Sequence, residues 1–168
     1  ESPFLYDIEF SVLNSKGQEI DKVVSYAGMR KAELRGKTFY LNNKPYYQRL
    51  VLDQGYYPDG QWTAPNDEQL KRDIELGKDA GFNGARLHQK VFEQRYFYWA
   101  DKLGYLTWGE SASWGVNWTN QAAARNMLTE WEECVQRDYN VTSLIAWSPL
   151  NETWREDVDG QRARLTND

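Results

Sequence analysis

The stretch Leu70-Lys-Arg-Asp-Ile-Glu-Leu-Gly-Lys-Asp-Ala-Gly-Phe-Asn-Gly-Ala-Arg-Leu-His88 decides the fold. Its first part carries Leu70, Ile74, Leu76 and Ala80 as the apolar stripe of a helix, and Gly81 ends it. Asn66 or Asp67 can cap that helix, which begins near Glu68. The second part, Phe82 to His88, is short and apolar and reads as a strand. Before the helix, Gln48-Arg-Leu-Val-Leu-Asp53 reads as a strand buried on both faces. The unit then repeats. A helix from Phe92 to Leu103 closes on Gly104, and Tyr105-Leu-Thr-Trp-Gly-Glu110 is a strand. A further helix runs from about Gln121 to Arg137, before a fourth strand, Ser143-Leu-Ile-Ala-Trp-Ser148. Helices between consecutive strands force crossover connections and a parallel sheet, so the class is α/β.

Two architectures compete, a doubly wound sheet and a (β/α)8 TIM barrel. No Gly-x-Gly-x-x-Gly turn follows the first strand, which argues against dinucleotide binding. Polar residues gather just after the strands instead: Asp53, His88, Glu110, Asn151 and Glu152. In a barrel these positions share the C-terminal face, where barrel active sites form. Only about four of the eight units are present, and the polar stretch Arg155 to Asp168 holds no further strand. The expectation is the N-terminal half of a TIM barrel, cut within a domain. Ahead of it, Phe4 to Leu13 and Ile20 to Tyr26 read as a β-hairpin about the turn Asn14-Ser-Lys-Gly17, and Arg30 to Leu34 as a further short strand. Thr38 to Leu41 and Pro45 to Tyr47 make a smaller hairpin around Asn42-Asn43.

Composition narrows the function classes. The chain has 168 residues, a net charge of −5 and 27% charged residues. A nucleic-acid partner is not expected, because no Lys/Arg cluster forms a basic face. No apolar run approaches the roughly 20 residues of a membrane span. The start, Glu1-Ser-Pro-Phe4, lacks the basic-then-apolar pattern of a signal peptide. The single cysteine, Cys134, reads as a small buried hydrophobe and excludes an internal disulfide or a cysteine zinc site. No residue set requires a metal or cofactor. Aromatic residues reach 15%, with eight tryptophans, although mean hydropathy is only −0.82. Segments such as Asp53-Gln-Gly-Tyr-Tyr-Pro-Asp59 and Trp114-Gly-Val-Asn-Trp-Thr119 set flat apolar rings beside hydrogen-bonding groups. That mixture suits sugars, whose C–H faces are apolar and whose rims are polar.

The chemistry concentrates in Asn151-Glu152. A carboxyl at the end of a buried strand can serve as a general acid, and an adjacent asparagine can bind a sugar hydroxyl. Trp147-Ser-Pro-Leu-Asn-Glu152 resembles the acid/base motif of glycoside hydrolase family 2, the β-galactosidase/β-glucuronidase family. Five other segments agree in order. Ser25-Tyr-Ala-Gly-Met-Arg30 resembles the close of that family's immunoglobulin-like sandwich, and Phe39-Tyr-Leu-Asn-Asn-Lys-Pro45 resembles the barrel entry. Phe82 to His88, Tyr98 to Glu110 and Arg137-Asp-Tyr-Asn140 resemble its second strand, its third strand and the approach to the acid/base strand.

The resemblance implies two domains: 1–35 as the last strands of the sandwich, and 36–168 as the first half of the catalytic barrel. It also implies a retaining β-glycosidase, β-galactosidase-like by first choice, with β-glucuronidase and β-mannosidase as alternatives. Glu152 is then the general acid/base, and Asn151 contacts the sugar 2-hydroxyl. Arg86, His88, Glu110 and Trp114 border the substrate, and the nucleophile lies on a later strand outside this chain. Asp53 or Glu110 could stand in as the partner carboxylate, but a structural anchor is the commoner role for either. Trp108, Trp118 and Trp154 divide between sugar stacking and packing, Trp62 could wall the pocket, and Trp99 and Trp131 read as core. The family usually places two residues between its Arg and His, whereas only Leu87 intervenes here. Sequons at Asn117, Asn140 and Asn151 favour a setting without N-glycosylation, because a glycan on Asn151 would block the site. A different class remains open: a non-catalytic carbohydrate-binding fragment using the same aromatic face. The open edges of a half-barrel would favour self-association into a homo-oligomer.

Overall fold

The computed structural model describes residues 3–152. Trp154 and the stretch from Arg155 to Asp168 lie outside the described residues. Strands β1 (Leu5–Leu13) and β2 (Glu19–Gly28) form an antiparallel hairpin. Asn14 closes its turn, the side-chain carbonyl accepting the Lys16 and Gln18 amides. A second antiparallel sheet holds β3 (Ala32–Arg35), β4 (Thr38–Leu41) and β5 (Lys44–Pro45). Asn42 and Asn43 make its tight turn with φ of 52° and 64°, the left-handed pair that a two-residue hairpin of matching twist demands.

The remainder alternates as expected: β6 (Leu50–Asp53), α1 (Asp67–Asp79), β7 (Gly84–Leu87), α2 (Gln94–Leu103), β8 (Leu106–Glu110), α3 (Gln121–Asp138) and β9 (Leu144–Ser148). The four strands form one parallel sheet in sequence order. Asn66 caps α1 by accepting the Gln69 amide. Gly104, at φ 68°, closes α2 in the left-handed conformation. No helix among the described residues is long and apolar enough to cross a membrane.

Strand alternation gives the sheet two unlike faces. Ala85 and Leu87 of β7 point to the helices and are fully buried, in a core with Ile74 of α1 and Tyr96 and Ala100 of α2. Trp147 of β9 packs edge-on against Trp131 of α3 on that same face. All three helices therefore cover one face. The other face carries Leu52, Arg86 and Trp108, which lie side by side in the register. Leu52 is 54% exposed. The reading of this strand as buried on both faces is thus corrected: within the described residues its second face is only partly covered, with Leu50 half-buried and Leu52 exposed.

The helix stripe needs a correction too. Leu70 and Ile74 are buried, but Leu76 and Ala80 face outward. The inward position one turn after Ile74 is Gly77, where a Cβ would meet the Tyr105 hydroxyl at 2.5 Å. The tyrosine fills the groove that a larger helix residue would have occupied. Trp118, Met127 and Trp131 form a satellite core under α3, with Cys134 half-buried against it.

Asp101, buried on α2, ties the hairpin to the sheet. Its carboxylate accepts the Tyr26 hydroxyl at 2.9 Å, the Ser143 amide at 2.6 Å and the Thr142 amide at 3.4 Å. Burial, reinforced by this carboxylate, pushes the Tyr26 phenol well above its ordinary range. Arg30 completes the junction by donating to the carbonyls of Thr142 and Leu144. Removing Asp101 strands several donors, whereas removing the Tyr26 hydroxyl costs one bond. Asp101→Ala should therefore lower stability by about 3 kcal/mol and Tyr26→Phe by about 1 kcal/mol in urea denaturation. Equal losses would show that the backbone amides contribute nothing.

Candidate active site

Because the four strands are parallel, the residues that end them meet at one edge of the sheet. Three of them make a connected cluster. Glu110, the last residue of β8, is 1% exposed. The Arg86 Nε donates to its Oε2 at 2.7 Å, and the Gln89 backbone amide donates to its Oε1 at 3.1 Å. His88 Nε2 stands 3.9 Å from that same oxygen. Arg86 also donates from its terminal nitrogen to Asn151 Oδ1 at 2.6 Å. A guanidinium presents its N–H groups in a fixed fork, so one arginine can set a buried carboxylate and an asparagine at a defined spacing.

Glu152 follows Asn151 directly. It is exposed, with φ of 48°. The left-handed backbone at this residue turns the chain four residues after β9 ends at Ser148. The loop that leads to it is anchored from β8: the Ser111 amide donates to Ser148 O at 3.2 Å, and the Asn151 amide donates to the buried Ser113 hydroxyl at 3.2 Å.

Of the residues named from sequence, Arg86, His88, Glu110 and Asn151 thus come together, with Glu152 beside them. Trp114 belongs to the next loop, 70% exposed, and its amide donates to the Gln89 side chain at 3.0 Å. Asp53 does not join them. It faces α2, accepting the Tyr96 hydroxyl at 3.4 Å and the Gly55 amide at 2.8 Å. Trp118 is buried under α3, which is packing. Trp108 donates its indole N–H to Gln48 at 2.9 Å. Trp99 donates to Asp67, which also takes the fork of Arg95, so α1 and α2 are pinned together.

Gln89 was not singled out from sequence. It takes φ of 57°, sends its amide to Glu110 and holds the Trp114 loop with its side chain. The one signal for it was spacing: Gln89 stands three residues after Arg86, where the family pattern has its histidine. His88, one place earlier, makes its ring contact with Gln54 instead, Nδ1 to Nε2 at 3.0 Å. Among the described residues no three His, Cys, Asp or Glu side chains gather as a metal site.

Two outcomes follow. Glu110 is a buried charge held chiefly by Arg86, so Arg86→Met should cost about 3 kcal/mol in urea denaturation, and adding Glu110→Leu should recover much of that loss. An additive double variant would mean that the pair is uncoupled. Burial raises the Asp53 carboxyl above the ordinary value of about 3.9. The fold prefers its protonated form, a contribution fully present below the unfolded value and lost as pH rises through the folded one. Denaturation between about pH 4 and pH 7 should show stability moving in favour of Asp53→Asn as pH rises; a constant difference would exclude this.

No family model matches this chain. A putative beta-glucuronidase of Formosa agariphila is 34% identical over 168 residues, which is 95% of this chain and 19% of the relative. The beta-galactosidase of Photobacterium profundum is 28% identical over 160 residues, 91% of this chain and 15% of the relative. Among solved structures, the β-glucuronidase of Bacteroides uniformis superposes with a TM-score of 0.81 at 25% identity, over 97% of this chain and 21% of that one. The β-glucuronidase of Ruminococcus gnavus bound to D-glucuronic acid gives 0.84 at 24% identity, over 97% and 28%. The chain spans under a third of the length of each of these four proteins. Order of motifs, shape and sequence agree along nearly its whole length: this chain belongs to the β-galactosidase/β-glucuronidase family of glycoside hydrolases, family 2.

Proposed function

We propose that this chain carries the acid/base half of a retaining β-glycosidase. The observation that carries the reading is the bond from Arg86 to both Glu110 and Asn151. It connects the ends of three parallel strands and leaves Glu152 exposed beside a rigid polar cluster. In this reading residues 36–168 are the first half of a TIM barrel, and residues 1–35 are the last strands of a sandwich domain. Two features support it. The three helices of the described residues cover one face of the sheet, as in a barrel wall, where a doubly wound sheet would carry them on both. The hairpin leaves Phe10, Val12, Val23 and Val24 more than half exposed, as strands do when the rest of their sheet is elsewhere.

The chemistry runs in two displacements. In the first, Glu152 gives its proton to the glycosidic oxygen while a second carboxylate attacks the anomeric carbon. The leaving alcohol departs, and a glycosyl ester remains. In the second, Glu152 takes a proton from water, the water oxygen attacks the same carbon, and the ester bond breaks. Asn151 holds the 2-hydroxyl, and the Arg86 bond to its side-chain carbonyl fixes its orientation. The attacking carboxylate must stand about 5–5.5 Å from Glu152. Glu110 is unsuited to attack, since both of its oxygens are already engaged within the cluster; its role is to fix Arg86. The nucleophile is assigned to a later strand of the longer enzyme.

A β-galactoside is the substrate the motifs point to first. A β-glucuronide is favoured by the 34% identical relative, whose name is putative beta-glucuronidase. Hydrolysis of paired aryl β-galactosides and β-glucuronides by the intact enzyme separates the two. On either sugar, Glu152→Gln should lower turnover by about 10²–10⁴-fold with a poor leaving group, and far less with a dinitrophenyl group that departs unprotonated. An equal loss on both leaving groups, or none, would remove Glu152 from the acid/base role. Sugar binding without turnover in the unaltered protein would favour the non-catalytic reading.

A further inference from the structure

The loop from Gln54 to Asn66 is built more firmly than a link between β6 and α1 requires. Tyr57 and Gln61 pair as a miniature antiparallel bridge, each amide donating to the other's carbonyl at 2.8 and 2.9 Å. The Tyr57 side chain is buried, and Gln61 takes φ of 54°, a costly conformation for a residue with a Cβ. Beneath the loop lies Lys90, 8% exposed. Its ammonium donates to Trp62 O at 2.7 Å and Gly55 O at 3.1 Å, and stands 3.7 Å from the Glu93 carboxylate. The Phe92 ring lies 4.8 Å away and the Tyr57 ring 5.7 Å away. Burying an ammonium is unfavourable unless its three donors are met. Here two of them clamp the two ends of one surface loop.

The clamped loop displays two aromatic rings. Tyr56 is 69% exposed and Trp62 54%, with ring centroids 6.4 Å apart at 63°. Exposed rings on a rigid loop lose little entropy on binding. The loop leaves the same sheet edge as the Arg86–Glu110 cluster, and the contact from Gln54 to His88 ties it there. It also lies across the sheet from Glu152, at the opposite end of the strand order β6-β7-β8-β9. We propose that Tyr56 and Trp62 form a second carbohydrate subsite, which stacks the sugar on the leaving-group side of the scissile bond, and that Lys90 is the positioning residue that holds it. The inference rests on the glycosidase reading above and adds the substrate class: β-linked di- or oligosaccharides rather than simple glycosides.

The test compares two substrates with the same terminal sugar in the intact enzyme: a β-linked disaccharide, and the methyl β-glycoside, whose leaving group is too small to reach the rings. Trp62→Ala should lower the ratio of the two kcat/KM values about tenfold or more, mainly through KM of the disaccharide. Lys90→Met should lower the same ratio and speed amide exchange across residues 55–62. Trp62 is exposed, so its variant keeps the comparison readable even where Lys90→Met fails to fold. An unchanged ratio in Trp62→Ala would overturn the subsite. Glu152→Gln run alongside tells the two readings apart: if it keeps full turnover on both substrates, the glycosidase reading fails; if it loses turnover while the Trp62→Ala ratio is unmoved, the subsite alone fails.

Discussion

A carboxylate with no access to water constrains everything around it. Glu110 is 1% exposed at the end of β8, and its charge is tolerable only because Arg86 reaches it from β7. The pair demands that β7 and β8 stay parallel and in register, since a one-residue slip would turn one partner to the helix face. With the register set, Arg86 has a terminal nitrogen left over, and that nitrogen fixes Asn151. The placement of Asn151, the residue before Glu152, is thus tied to an ion pair between two other strands.

The sheet is asymmetric for a physical reason. Ala85 and Leu87 face the helices within the dry core, with Trp147 on the same face, whereas Leu52, Arg86 and Trp108 face a side that no helix of the described residues covers. The apolar core and the polar cluster are therefore separated by the two-residue period of the strand. Asp53 shows how strict that separation is. It ends its strand as Glu110 does, yet it points to α2 and serves as an anchor for Tyr96 and Gly55. Two strand-end carboxylates of similar sequence context have unlike roles because they lie on opposite faces.

The loops at this edge are held from beneath as well as from within. Lys90 braces the first, Gln89 joins the second to the third, and Ser111 and Ser113 hold the segment before Glu152. Three of these residues are buried polar groups, costly to place and worthwhile only when each meets its partners. At the far edge, Asp101 and Arg30 do the same for the junction with the N-terminal hairpin.

Much of this was legible in the sequence. The alternation of helix and strand from Gln48 to Ser148 follows from local spacing, glycine stops and the Asn66 cap, all of which act within a few residues. The motif Asn151-Glu152 and its ordered companions marked the family. Other features were decided by tertiary structure. Gly77 stands at the inward position one turn after Ile74, and its lack of a side chain makes sense only beside Tyr105, which precedes β8 and fills the groove there. The exposure of Leu52 depends on what lies opposite the sheet, which its own strand cannot encode. Gln89 has no local signature, and its importance arises only when β8 brings Glu110 beneath its amide. The sequence by itself determined which segments form and in what order, since those are short-range choices. The tertiary structure alone decided which polar groups meet, because burial of a charge is settled by neighbours from other strands.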